Sequence, residues 1–157
     1  MDDGQNEAVG SLESLAGHLI RRLHQTSTQV FHSRTKAAGL DLTPVQFAAM
    51  KEIRETPGID QASLAARIAY DRATIGGVID RLEQKGWVHR TISPRDRRAR
   101  EVTLTEAGKR IFAKALPVVQ ALQADILPGL SPDEKRLFLE LAQKSTLDRK
   151  TLASLTR

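Results

Sequence analysis

An arginine-rich turn constrains the fold of this chain more than any other feature of its sequence. The segment 93–100 holds a single acid, Asp96, and four arginines: Arg95, Arg97, Arg98 and Arg100. Guanidinium groups this close repel one another unless an anion lies beside them. The turn follows a helix-like segment and separates two strand-like segments, near 87–92 and 100–104. This order predicts the β-hairpin wing of a winged helix-turn-helix, with a tip that contacts DNA phosphates. A merely solvated loop is the weaker interpretation.

Two short helices before the hairpin complete the predicted DNA-reading unit. Asp60 and Asp71 are each placed to cap one of them, and Gly86 ends the second. In this motif the second helix enters the major groove, with its N-terminal residues beside the base edges. The DNA contacts predicted on that helix are Arg72, Ala73, Thr74, Gly76, Gly77 and Arg81. The wing adds its four arginines and Asp96.

The glycine pair Gly76 and Gly77 and the acid Asp96 need explanations of their own. Each glycine inside a helix costs about 1 kcal/mol relative to alanine. The pair either lets the helix approach DNA more closely or lets it pack against a neighbouring helix, and the sequence favours neither. Asp96 lies two residues before Arg98, so we expect an ion pair that aims the guanidinium toward a minor groove.

The composition limits the classes of function. The chain has 157 residues, 40% of them hydrophobic, and a formal net charge of +5, which favours an anionic partner. The absence of cysteine excludes disulfides, thiolate zinc sites and thiol-based peroxide sensing. No local pattern indicates an active site, and the four histidines lack metal-site spacing, so we expect neither an enzyme nor a metal or other cofactor. No apolar run approaches about 20 residues and the first residues are acidic, which predicts a cytoplasmic protein without a membrane partner.

The periodicity along the chain predicts an all-α fold with a small β-hairpin wing. We expect residues 1–10 to form a disordered tail and residues 11–157 a single domain. Within it, the winged helix-turn-helix covers about 42–105. Apolar residues at helical spacing predict long flanking helices at about 11–38 and 106–155, broken near Pro128. Their apolar stripes exceed what the reading unit needs to cover, so we expect N- and C-terminal dimerisation helices.

These features together resemble the multiple-antibiotic-resistance regulator (MarR) family. The segments that carry the resemblance are Leu42-Thr43-Pro44-Val45-Gln46-Phe47, Leu64-Ala65-Ala66-Arg67, Ala73-Thr74-Ile75, Asp80-Arg81-Leu82-Glu83-Gln84-Lys85-Gly86 and the wing from Asp96 to Gly108. The resemblance implies a homodimeric winged-helix repressor that a small ligand, usually an aromatic acid, releases from a palindromic DNA operator. Residues 71–81 are most similar to repressors of aromatic-acid catabolism, including regulators of nicotinate degradation that respond to hydroxylated nicotinate.

The family resemblance also implies an effector pocket between the first helix and the helix that Thr43 opens. An aromatic carboxylate needs a cation or imidazole for its charge and apolar walls for its ring. The candidate residues are His18, Leu19, Arg21, Arg22, Thr43, Gln46, Phe47 and Met50. Alternatively, His18 lies at the surface or an interface, and the two arginines lie on a solvated helix face. Two further functions stay open: a non-specific DNA-architectural protein without an effector, and an activator of the same family.

Overall fold

The computed structural model describes residues 11–146, and these form six α-helices and one small antiparallel sheet. A 3-10 turn, Leu12–Ser14, precedes the first α-helix. The elements are α1 (Ala16–Ala37), α2 (Pro44–Glu55), β1 (Ile59–Asp60), α3 (Gln61–Arg67), α4 (Arg72–Gln84), β2 (Val88–Ile92), β3 (Arg100–Leu104), α5 (Glu106–Ile126) and α6 (Pro132–Ser145). The predicted tail, residues 1–10, and the end of the predicted C-terminal helix lie outside the described residues.

Side-chain caps start the helices where the sequence predicts them. The Thr43 hydroxyl accepts a hydrogen bond from the Gln46 amide, while the Gln46 side chain accepts one from the Thr43 amide. Ser131 and Glu134 form the same reciprocal box at the start of α6. Each box satisfies backbone donors that the first helical turn leaves unpaired. The prediction for the first helix differs in one respect, because Leu15 is extended and separates the 3-10 turn from α1.

The sheet contains a third strand that the sequence did not predict. The strand order is β1-β3-β2, all antiparallel, so β3 lies in the centre. β1 is only two residues long, and its Ile59 lies opposite Val102. So short a segment carries no alternation of polar and apolar residues, and its pairing depends on β3, which lies some forty residues further along the chain.

One hydrophobic core joins helices α1 to α5 and the sheet. Helix α1 packs along α5, and α2 packs on α4, α5 and β3. The close approach of α5 to the base of the wing requires Gly108, because a Cβ there would lie 1.9 Å from the Trp87 carbonyl oxygen. The largest fully buried hydrophobic side chains are Met50, Ile53, Leu64, Ile75, Ile79, Leu82, Val102 and Leu122.

Two segments expose apolar side chains that the core does not cover. At the start of the chain, Leu12 is 59% exposed and Ile20 is 66% exposed, and Leu15 and Leu19 are also exposed. Helix α6 belongs to a second compact unit that starts at Leu127. Its Leu137, Leu139 and Leu141 are each more than half exposed. These are the stripes in which the sequence predicts dimerisation.

Candidate nucleic-acid interface

Asp71 fixes the start of the predicted recognition helix, α4. One of its carboxylate oxygens accepts a hydrogen bond from the Thr74 amide at 2.8 Å, and the other accepts one from the Thr74 hydroxyl at 2.6 Å. These bonds, the hydroxyl's foremost, lower the pKa of Asp71. The amide and the hydroxyl of Thr74 therefore both take part in capping the helix. Helix α4 buries one face in the core, through Ile75, Val78, Ile79 and Leu82.

The opposite face of α4 carries small residues between charged ones. Ala73 and Gly77 are exposed four residues apart, and Gly76 lies beside them. An ideal Cβ at either glycine would meet no atom within 4 Å. The packing explanation of the glycine pair is therefore wrong for contacts among the described residues. This face of α4 therefore forms an open strip of small residues, with Arg72 at its N-terminal end and Arg81 toward its C-terminal end.

Ser93 organises the wing turn from within. It is buried, and its hydroxyl donates to a Glu101 carboxylate oxygen at 2.8 Å. The same oxygen atom of Ser93 accepts hydrogen bonds from the amides of Arg95 and Asp96, at 3.2 and 3.4 Å. Nothing in the sequence marks Ser93 for this role, because a serine beside a proline in a turn gives no signal of burial. Its network gives the turn a defined shape between the two strands.

Asp96 acts on the backbone of the turn, which corrects the prediction that it pairs with a guanidinium. Its carboxylate accepts a hydrogen bond from the Arg98 amide at 2.9 Å, and its carbonyl accepts one from the Ala99 amide. Two residues is the spacing at which an aspartate closes a turn on its own backbone. That bond uses the carboxylate in a local turn. Among the described residues, no acid forms an ion pair with any of the four wing arginines, Arg95, Arg97, Arg98 and Arg100.

The wing arginines and the helix-turn-helix border one polar groove. The groove has a volume of about 770 Å³ and runs between β1, α3, the first residue of α4 and the wing turn. Arg97 is exposed at the turn but does not line this groove. Three acids reach it, namely Asp60, Asp96 and Glu101, against five arginines: Arg67, Arg72, Arg95, Arg98 and Arg100. Its surplus of positive charge suits a phosphate backbone. Arg67 is a member that the sequence analysis missed, since it falls in α3 and not in the recognition helix.

A separate cluster of ion pairs and hydrogen bonds lies at the base of the wing, around Arg90. Its guanidinium contacts Glu83 at 2.6 Å and Asp80 at 2.8 Å, both on α4. It also reaches the Gln61 side chain of α3 at 3.5 Å. The hydrogen bond from Arg90 lowers the pKa of Glu83, and the same bond raises the pKa of Arg90. Glu83 of α4 therefore pairs with the base of the wing.

The structure does not bring the predicted effector residues together within one chain. His18 and Arg21 contact each other on the exposed start of α1, at 3.4 Å, with Leu19 and Arg22 also exposed nearby. Phe47, in contrast, packs against Phe31, which lies thirteen residues beyond His18. At a rise of 1.5 Å per residue, His18 lies about 20 Å and Arg22 about 14 Å from Phe31 along α1. His18 and the candidate wall residue Leu19 are therefore not adjacent to Phe47, the candidate wall residue on α2, in a single chain.

The candidates on α2 have structural contacts of their own. Gln46 is buried in the capping box, and Met50 is fully buried in the core. Phe47 is partly buried and stacks on Phe112 of α5, with ring centroids 5.3 Å apart. Thr43 lines a mostly apolar cavity of about 450 Å³ where α1 meets the loop before α2. His32 and Lys36 line the same cavity, and neither is among the effector residues predicted from the sequence.

The described residues give no sign of a metal site or a membrane span. No group of three or more His, Cys, Asp or Glu side chains in residues 11–146 is placed to hold a metal ion. None of the helices in that range has the length and apolar character needed to cross a membrane.

A winged helix-turn-helix with a basic wing and flanking helices defines a class of DNA-binding regulator. The model of the MarR family matches residues 42–99 of this chain. The transcriptional regulator HosA of Escherichia coli O111:H- is 35% identical over 134 residues, covering 85% of this chain and 96% of HosA. The chain therefore belongs to the MarR family of DNA-binding transcriptional regulators, which are not enzymes.

Two further relatives carry information about regulation. The transcriptional repressor NicR of Pseudomonas putida is 31% identical over 128 residues, covering 82% of this chain and 80% of NicR. The structure of Bordetella bronchiseptica BpsR superimposes with a TM-score of 0.81 at 28% identity, covering 88% of this chain and 99% of BpsR. That structure addresses how 6-hydroxynicotinic acid regulates DNA binding by BpsR.

Proposed function

We propose that this protein is a homodimeric, cytoplasmic repressor that binds a palindromic operator and is released by a small aromatic acid. The observation that carries the DNA part is the pairing of an open strip on α4 with an arginine-rich groove beside it. NicR, a repressor, supports the direction of regulation. A transcriptional reporter assay with and without the protein tests the direction of regulation, because a repressor lowers expression of the reporter and an activator raises it.

The strip on α4 supports a major-groove approach. Arg72 can reach guanine or a phosphate, and Ala73, Gly76 and Gly77 leave the helix backbone close to the base edges. Arg81 extends the same surface. The wing arginines then lie against phosphates or an adjacent minor groove, where narrow A·T tracts concentrate negative potential. Asp96 contributes by shaping the turn that presents them.

The exposed leucines of the 3-10 turn, α1 and α6 support the homodimer. Exposed apolar stripes of this kind mark an interaction site in a folded protein. A second copy of the chain would cover them and would place two α4 helices on one face of the DNA. Two-fold symmetry of the protein then corresponds to a palindrome, with half-sites about one helical turn apart.

The proposed effector is an aromatic carboxylate, with a hydroxylated nicotinate as the leading candidate, as for BpsR. Since His18 lies about 20 Å and Arg22 about 14 Å along α1 from Phe31, which contacts Phe47, the proposed pocket needs the partner's first helix. The partner would supply the cations, and the residues of α2 would supply the walls. Contacts of Phe47 with Phe31 and with Phe112 join α1, α2 and α5. A ligand beside Phe47 would therefore alter the packing between the dimerisation helices and the reading unit.

Release from DNA requires only a difference in affinity between two states. The ligand must bind the DNA-incompetent spacing of the two α4 helices better than the competent one. No contact between ligand and DNA is needed. A pocket completed by the partner would suit this mechanism, because the affinity of a ligand that contacts both chains depends on their relative position.

The experiment begins with selection of a binding site from a pool of random duplexes. The expected result is a palindrome, bound by a dimer and released by 6-hydroxynicotinate but not by an uncharged ring of the same size, such as 2-pyridone. Arg22→Ala should weaken the response to the acid and leave operator affinity nearly unchanged. Binding without sequence preference would instead support the DNA-architectural alternative. A regulator that selects a palindrome yet ignores every aromatic acid would refute only the effector proposal.

A further inference from the structure

We infer that Arg90 is a positioning residue that holds the wing in a fixed orientation to the recognition helix. The inference rests on the proposed function in one respect, since the orientation matters for binding DNA. Arg90 lies on β2, the strand that leads into the wing turn, and not at the turn itself. It is therefore separate from the exposed arginines that face the groove.

The contacts of Arg90 join three elements through a single side chain. Its Nε and Nη2 donate to one carboxylate oxygen of Glu83, at 3.0 and 2.6 Å. Its Nη1 meets Asp80 at 2.8 Å and the Gln61 oxygen at 3.5 Å. The Arg90 backbone amide also donates to the other oxygen of Glu83, at 3.3 Å. Helix α4, helix α3 and strand β2 thus share one guanidinium.

The arrangement restricts the wing because Glu83 holds both the side chain and the backbone of Arg90. A guanidinium is planar, so several simultaneous bonds fix its direction as well as its distance. Only 26% of the Arg90 side chain is exposed, which limits the competition from water. Arg90 pairs with Val102 of the central strand, so a displacement at this point moves both strands of the hairpin.

The same contacts neutralise acids on the DNA-facing helix. Asp80 lies three residues beyond Gly77 on the exposed side of α4 and is 54% exposed on its side chain. Unpaired carboxylates there and at Glu83 would repel phosphates. A purely electrostatic role and a positioning role predict opposite signs for one substitution. Glu83→Gln removes a negative charge, so it should strengthen DNA binding if charge alone matters, and weaken it if Arg90 must be held.

The first measurement needs no DNA. Hydrogen exchange of the free, full-length protein should be at least threefold faster in peptides that cover residues 91–99 of Glu83→Gln than in wild type. The matched control is Glu55→Gln, which removes one acid and one ion pair, with Lys51 on α2, and leaves the contacts of Arg90 intact. Equal exchange in Glu83→Gln and wild type would overturn the inference. Circular dichroism verifies that both variants fold.

The second measurement is affinity for the selected duplex. Glu83→Gln should bind about tenfold more weakly than wild type, whereas Glu55→Gln should bind no more weakly. Arg90→Lys keeps the charge but not the planar set of donors, and it should bind at least threefold more weakly. In an Arg98→Ala background the Glu83→Gln effect should shrink to less than twofold, because a wing without its arginine gains little from being held.

The outcomes separate the inference from the proposed function. Tighter binding by Glu83→Gln, or effects of Glu83→Gln and Arg98→Ala that simply multiply, would overturn the positioning role. A wild-type protein that selects no DNA sequence would overturn the proposed function. Exchange in the wing would then still decide whether Arg90 holds the hairpin.

Discussion

Replacing Gly76 and Gly77 by alanine should make the protein more stable and a weaker DNA binder. Both glycines lie inside α4, and a Cβ at either would meet nothing within 4 Å. Alanine in a helix interior is about 1 kcal/mol more favourable than glycine, so the double variant should gain about 2 kcal/mol. For a chain of this length that corresponds to a rise of about 4–8 °C in melting temperature.

The expected loss in DNA affinity has the opposite sign. Two methyl groups on the open strip would hold the helix away from the base edges, at a cost comparable to one poor base contact, about 1–3 kcal/mol. The affinity of the double variant for the selected operator, measured by fluorescence anisotropy, should therefore be lower than that of wild type by about tenfold or more. Gly17→Ala, also without neighbours within 4 Å and located in α1, is the control and should leave affinity unchanged.

Two results would refute the reasoning about the glycine pair. Wild-type affinity in the stabilised double variant would show that the missing side chains do not serve DNA approach. A lower melting temperature would show that the glycines pack against something in the assembled dimer, which would revive the packing explanation there.

Three further outcomes follow from single sites. Arg98→Ala should reduce the slope of log K against log salt by about 0.9, because one DNA phosphate is no longer neutralised, and an unchanged slope in a folded variant would remove Arg98 from the interface. Gly108→Ala should destabilise the protein by about 1–3 kcal/mol in urea unfolding, because its Cβ would meet the Trp87 carbonyl at 1.9 Å; wild-type stability would mean that α5 can shift freely. The Ser63 hydroxyl, followed by the Ser63 amide, lowers the pKa of the Asp60 cap below its ordinary 3.8. The stabilising carboxylate is present above about pH 4 and is lost as pH falls through the lower folded pKa. Asp60→Asn should therefore flatten the fall in unfolding free energy between about pH 5 and pH 2, and parallel curves for the two proteins would contradict this.

The sequence by itself determined the local structure. Caps at Thr43, Asp71 and Ser131 start helices where they stand, because each satisfies backbone donors within four residues. The hairpin and its arginine-rich turn likewise follow from segments that are adjacent in the chain. These local signals, with the resemblance they carry, were enough to predict the fold class and the family, and both are confirmed.

Only the tertiary structure decided which partners those residues find. Asp96 accepts a hydrogen bond from the Arg98 amide, although the same spacing of two residues also allows an ion pair with the Arg98 guanidinium. Ser93 became buried, and Ile59 became a strand, through contacts with residues of β3. The separation of His18 from Phe47 follows from the length of α1 and from where α2 packs along it. Pairing across elements depends on packing of the whole core, and sequence spacing reports only on neighbours within a turn or two of the chain.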